Sequence, residues 1–343
     1  MGIVIAILLF GFIVFFHELG HFLLARKNGI RVDEFWIGMG PTLVHKKIGE
    51  TDYCLKLFPI GGACMMGEDD ADDFSEGSFN SKSPLQRISV IAAGPVFNFI
   101  LAFICGFIFI CCVGIDKPVI SGVAEDMPSM EVGLQAGDKI VEINGKNIHI
   151  FREISLLNII HPGERMEITY ERAGIRNTVS LTPVYDEESG AYMMGVYSNG
   201  YEKGSVGEII LYSIYEIEYW IEMTLDSLKM LFTRQIGMDQ LSGPVGVVNA
   251  VDQTYQVSKS GGIYLVFLNM IRMAVLLSAN LGVMNLLPIP ALDGGRLLFL
   301  VIELVRGKRV PPEKEGYVHM IGMMFLLILM AFVVFNDLKR IFM

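Results

Sequence analysis

His17-Glu18-Leu19-Gly20-His21 closes a run of apolar residues, 3–16, broken only by Gly11. On a helix advancing about 100° per residue, the two histidines stand about 40° apart and Glu18 falls about 60° beyond His21, so the three share an arc of roughly 100°. Two imidazoles one turn apart can hold Zn²⁺ at about 2.0–2.1 Å, and a carboxylate between them falls beside the open position where water binds. This assigns His17 and His21 as metal ligands and Glu18 as general base. The setting strengthens the assignment, because ionisable residues inside an apolar span cost about 2.5–3.5 kcal/mol each. Three on one face are hard to keep there without a metal.

A hydrolytic zinc needs a third protein ligand and one open position. Asp293, in Pro288-Ile289-Pro290-Ala291-Leu292-Asp293-Gly294-Gly295, is the best-placed carboxylate among the apolar segments, and His319 is its competitor. The two prolines break the preceding helix, so Asp293 is expected on irregular backbone near membrane depth, which is tolerated where it is buried in protein or lines a wet cavity. With zinc lowering the pKa of a bound water towards about 7 and polarising a carbonyl, Glu18 would take the proton and pass it to the leaving amine. The expected reaction is peptide hydrolysis inside a membrane. A helical substrate must first be unwound, and its freed backbone needs partners. The strand-forming loop at Gly61-Gly62 could add an edge to an extended substrate, and Asn280 and Asn285 could offer amide groups. Asparagines in spans also serve simply to pack helices, and both readings stay open.

The elements that must position these residues follow from composition and periodicity. The chain has 343 residues, 52% hydrophobic and 19% charged, which indicates a polytopic membrane protein with an extramembrane domain. A net charge of −10 without a basic face argues against a nucleic-acid partner. Five cysteines (Cys54, Cys64, Cys105, Cys111, Cys112) have no framework spacing and are expected as reduced thiols. The N-terminal run lacks a basic n-region and is expected to be a retained span.

Four spans are expected: residues 3–24; 88–113, interrupted by Gly94-Pro95 and by Asn98, a packing residue on this reading; a third starting between Ile263 and Met273 and ending at Leu287; and 318–335. Residues 32–85 carry short β-favouring runs, followed by an acidic cluster (Glu68, Asp69, Asp70, Asp72, Asp73) of the kind that forms solvated loops. Residues 116–186 alternate in short runs between Asn144-Gly145 and Pro162-Gly163 turns, a small β-rich domain, and 205–234 has the period of one or two amphipathic helices. The fold class is therefore a polytopic α-helical membrane protein with four transmembrane helices, a membrane-associated β-hairpin segment and an inserted β-rich domain. The expected boundaries are 1–115, 116–204, 205–262 and 263–343. Basic residues at the ends of spans one and two (Arg26, Lys27, Arg31, Lys82, Arg87) and between spans three and four place those ends in the cytoplasm and the β-rich domain outside.

Five motifs together carry a resemblance: F-F-H-E-L-G-H at 15–21, P-I-G-G at 59–62, G-P-V-F-N at 94–98, L-S-G-P-V-G at 241–246 and N-L-L-P-I-P-A-L-D-G-G at 285–295. The chain resembles the site-2 protease family, and within it the bacterial RseP-like intramembrane zinc metalloproteases of the cell membrane. The resemblance implies His17, His21 and Asp293 as zinc ligands, Glu18 as the catalytic glutamate, and Asn280 and Asn285 as positions tied to substrate handling. Residues 121–145, with Gly133-Leu134-Gln135-Ala136-Gly137-Asp138, look like a PDZ domain, which in this family filters substrates by size. The best-known proteobacterial members carry two such domains, whereas the length here fits one. The implied partners are the lipid bilayer and transmembrane proteins already cleaved once on the outer side, either anti-sigma factors or remnant signal peptides. A non-catalytic PDZ scaffold is the rival reading, but it has no use for Glu18 between paired histidines.

Overall fold

The first apolar run forms α1, Gly2–Lys27, with Arg26 and Lys27 in its last turn, where cations complement the helix dipole. A computed structural model describes residues 1–67, 73–187 and 189–342. Of the acidic cluster only Asp73 is included, while Glu68, Asp69, Asp70 and Asp72 lie outside the described residues. The buried face of α1 is built largely from small residues and the two histidines: Ala6, Gly11, Ile13, His17, Gly20, His21 and Ala25. Small residues let a second helix approach closely.

Two long strands follow, β1 (Glu34–Ile48) and β2 (Thr51–Met65), joined by a tight turn with Gly49 at φ +65°. The hairpin folds back on itself. Residues 34–37 are registered both with 62–65 and with 52–55. Gly38, Gly40 and Gly61, at φ between +84° and +89°, supply the left-handed backbone at this bend that other residues adopt only with strain. Next comes α2, Pro84–Val113, which keeps Pro95 within the helix. Packed around Ala25, Ile30, Phe35, Cys64, Phe79 and Val90 is an apolar cluster joining α1, the hairpin and the start of α2.

Residues 106–233 form a second unit. It contains β3 (Ile120–Val123), α3 (Pro128–Glu131), β4 (Lys139–Ile143), β5 (Lys146–Asn147), α4 (Phe151–Ile160), β6 (Met166–Arg172), β7 (Ile175–Leu181), β8 (Val184–Asp186), β9 (Ala191–Met193), β10 (Val196–Ser198) and α5 (Val206–Phe232). The largest sheet has the order β5-β4-β6-β7, and β10 pairs with β3. Ile140 and Ile143, on either side of a register shift in β4, and the alternate residues Met166, Ile168 and Tyr170 of β6 pack with Phe151, Ile154 and Leu157 of α4 in the core. The amphipathic stretch is one helix of 27 residues, α5, opened by a capping box between Ser205 and Glu208. Arg152 ties Asp116 to Glu216, and Glu216 also accepts from Trp220 Nε1 at 2.9 Å.

The first unit resumes at Arg234 with α6 (Pro244–Lys259), α7 (Gly262–Leu286), α8 (Asp293–Arg306) and α9 (Pro312–Phe342). Among the described residues, four helices are long and apolar enough to cross a membrane: α1, α2, α7 and α9. The protein is a multi-pass membrane protein with an inserted β-rich domain. Two helices of the first unit are not singled out as elements by the sequence. α6, packed on α1 and α7, is too polar to register as a span, and α8 is short and begins where the prolines had implied a loop. The L-S-G-P-V-G motif gains a physical reason, because the backbone N–H groups of Gly243 and Gly246 donate to the buried carboxylate of Asp337 in α9 at 3.0 and 2.7 Å.

Candidate metal centre

His17 and His21 stand on the buried face of α1 with their Nε2 atoms 3.2 Å apart, and Asp293 Oδ2 lies 3.1 Å from the first and 3.4 Å from the second. Asp293 is the first residue of α8 rather than part of the irregular segment. The prolines end α7 at Leu286, and the chain re-enters a helix as soon as they are passed. Gly294 and Gly295 permit this return, since a Cβ on either would lie within 2.5 Å of the backbone of Leu286 or Ile289.

A carbonyl on the far side of the ring fixes the tautomer of His21, and the orientation of one amide sets that of His17. His21 Nδ1 donates to the carbonyl of Val90 at 2.9 Å, which leaves a lone pair on its Nε2. His17 Nδ1 lies 3.0 Å from the side-chain amide of Asn98, a fully buried residue whose Oδ1 has no other partner among the described residues. With the amide turned so that Oδ1 accepts from Nδ1–H, that orphan oxygen is satisfied and His17 Nε2 also carries a lone pair. Asp293 Oδ2 is buried without a donor among the described residues. Three acceptor atoms thus converge, all within 4.8 Å of one another. A proton could satisfy one of these contacts, whereas a cation satisfies all three. Two imidazoles and a carboxylate are a donor set that suits zinc.

Gly94 of α2 is what lets the second span come this close. A Cβ there would sit 2.6 Å from His21 Cε1 and 2.7 Å from His17 Cε1. Gly94 and Asn98, one turn apart, present a single face of α2 to the histidines. In the sequence both stand out as interruptions of an apolar span, and neither is assigned to the site there. Their four-residue spacing inside an apolar run was the available signal.

Glu18 is half-buried, and a Cβ on Gly62 would lie 3.2 Å from its Cγ. Residues 62–65 pair on one side with 34–37, and among the described residues their other edge has no strand beside it. Gly61 instead packs against Met39 within the hairpin. Asn280 and Asn285 are half-buried on α7 and make no side-chain hydrogen bond among the described residues. The competitor His319 stays apart from the cluster, with its Nδ1 accepting from the N–H of Ala291 at 2.9 Å.

Residues 5–329 match the family model described as Peptidase family M50. Zinc metalloprotease RasP of Bacillus licheniformis is 35% identical over 430 aligned residues, covering 100% of both chains. The regulator of sigma-W protease RasP of Bacillus subtilis is 32% identical over 421, covering 98% of each. Among solved structures, the PDZ domain of an SdrC-like protein of Listeria monocytogenes aligns at 24% identity with 25% of this chain and 92% of its own, with a TM-score of 0.23.

Proposed function

Because the chain belongs to peptidase family M50, the site-2 proteases, and is an intramembrane zinc metalloprotease, we propose that His17, His21 and Asp293 hold the zinc and that Glu18 is its general base. The observation that carries this reading is the convergence of three buried acceptor atoms with no donor among them, beside a carboxylate at an open strand edge. When bound, zinc supplies Lewis acidity to the scissile carbonyl and to a water. The chain's own residues do the rest. Glu18 removes the proton from the attacking water and returns it to the leaving amide nitrogen. Asn98 and the Val90 carbonyl hold the imidazoles in their ligating tautomers. The free edge of residues 62–65 pairs with the substrate backbone once it is extended, bringing its carbonyl to Glu18, while Gly62 leaves room for that approach. Asn280 and Asn285 supply further amide partners.

The enzyme acts on membrane proteins. Within that class, the substrates proposed are single-span proteins already trimmed outside the membrane, of the anti-sigma-factor type, or remnant signal peptides. The name of the Bacillus subtilis relative, which ties it to sigma-W regulation, supports the first by analogy. The positive-inside distribution supports an active site towards the cytoplasm of the cell membrane, with the β-rich domain outside acting as a PDZ size filter.

The test compares purified wild type with Glu18→Gln for zinc content and for cleavage of a tagged single-span substrate lacking its outer domain. Both proteins are expected to bind about one zinc, and only wild type to cleave. Cleavage by Glu18→Gln at the wild-type rate would refute the base assignment.

A further inference from the structure

A cavity of about 470 Å³ lies in the first unit, beside the start of α2 and the junction of α8 and α9. Its wall carries three guanidinium groups, those of Arg87, Arg296 and Arg309, against one carboxylate, Glu315. The nearby Glu303 is occupied by Arg87, whose Nη2 donates to it at 2.5 Å. Among the described residues, positive charge is therefore in excess around the cavity. Two of these guanidinium groups, those of Arg87 and Arg309, are also incompletely hydrogen-bonded among the described residues. Arg87 is 4% exposed, yet its Nε is buried without an acceptor among the described residues. Arg309 donates through Nη2 to Asn80 Oδ1 at 2.8 Å, but among the described residues its Nε and Nη1 have no acceptor. Buried N–H donors left unpaired on a cation are costly, and native proteins rarely retain them without a water or an ion. Water can satisfy such donors but cannot neutralise them.

The remaining wall identifies what kind of anion fits. Met320, Met323 and Met324 of α9 line the cavity and are each more than half exposed, on a helix whose apolar stretch is only 11% buried. The basic end of the cavity thus continues onto a lipid-facing apolar surface. Arg87 sits in the first turn of α2 and Arg309 just before α9, the end of a span in each case, which is the depth of lipid headgroups. Guanidinium donors in a fixed fork match phosphate oxygens better than any other common anion. We propose that this cavity binds the phosphate of an anionic phospholipid, with the glycerol headgroup inside and an acyl chain along the methionines of α9. This site is separate from the metal ligands, and its test does not depend on proteolysis.

Full-length protein is reconstituted in nanodiscs of phosphatidylcholine with or without phosphatidylglycerol, transferred to detergent, and its retained lipid counted by native mass spectrometry. Thermal unfolding in lipid-free detergent with inorganic phosphate forms a second arm. Wild type is expected to retain phosphatidylglycerol over phosphatidylcholine. Arg309→Gln is expected to lower that retention about tenfold, with partial rescue in Arg309→Lys, which keeps the charge and loses the fork. Should Arg309→Gln fail to fold, the double substitution Arg87→Gln with Glu303→Gln removes a cation from the wall without orphaning a buried charge, and the same loss is expected. Stabilisation by inorganic phosphate that Arg309→Gln abolishes, without lipid selectivity, supports the anion site and makes free phosphate its occupant. Retention of phosphatidylglycerol and response to phosphate that are equal in wild type and the folded variants overturn the proposal.

Discussion

Gly94→Ala tests the site without removing any candidate ligand. The added methyl would lie 2.6 Å from His21 Cε1 and 2.7 Å from His17 Cε1, and closer still to His21 Nε2. Carbon atoms rest at about 3.5–4.0 Å, so the two rings must retreat by about 1 Å or the helices must separate by as much. Metal–ligand distances are held to within about 0.2 Å, so the displacement is several times what the coordination tolerates. Overpacking of this kind costs about 1–3 kcal/mol in stability, a loss the fold can survive. Zinc binding is expected to weaken at least as much as when an outer partner of a ligand is lost, roughly 10–100-fold. Zinc content after dialysis against graded chelator gives the affinity, and cleavage of a truncated single-span substrate gives the activity. Gly106→Ala in the same helix is the control, since its Cβ would meet nothing nearer than 3.7 Å. If Gly94→Ala keeps its zinc to the same chelator concentration as wild type and cleaves at the same rate, the reasoning that α2 forms the back wall of the site is wrong.

Asn98→Ala is expected to fold and to lose zinc affinity by about 10–100-fold in chelator competition, because His17 Nδ1 loses the partner that fixes its tautomer. Asp337→Ala leaves the amides of Gly243 and Gly246 without an acceptor, at about 1–3 kcal/mol each, so its unfolding in mixed detergent is expected at lower denaturant than that of Asp337→Asn, which keeps one acceptor oxygen. In the β-rich domain, burial pushes the Glu153 carboxyl up from its ordinary 4.5 to about 7. A carboxyl raised in the folded state adds stability below the unfolded pKa and loses it as pH rises through the folded one. From 4.5 to about 7, at about 1.4 kcal/mol per pH unit, the loss is about 3 kcal/mol. Glu153→Gln is expected to flatten that fall in a pH series of thermal unfolding, and an unchanged slope would exclude Glu153 as its source.

The sequence alone determined the features that depend on local order. His17, Glu18 and His21 share a face because helical period fixes the angle between residues one turn apart, whatever surrounds them. Four apolar runs of sufficient length specify spanning helices, since backbone in hydrocarbon must bond within its own segment. Alternation in residues 116–186 announced a β-rich domain for a similar reason, because period two puts one side of each strand into a core. Asp293 is named from the sequence by its place among the apolar segments, but only the tertiary structure decided how it and the other distant groups meet the histidines. Asp293 reaches the histidines because two glycines let the chain double back on α7 before α8 begins, a packing event with no sequence period. Gly94 and Asn98 form the wall behind the imidazoles through a helix crossing that sequence spacing does not encode. The same holds for Asp337, whose partners are backbone amides more than 90 residues away. It holds equally for Arg87 and Arg309, which read as ordinary flanking charges and become a paired feature only when α2, α8 and α9 close around one cavity. Periodicity reports the face a residue takes within its own element, and the long-range contacts that make a site are chosen by shape and burial between elements.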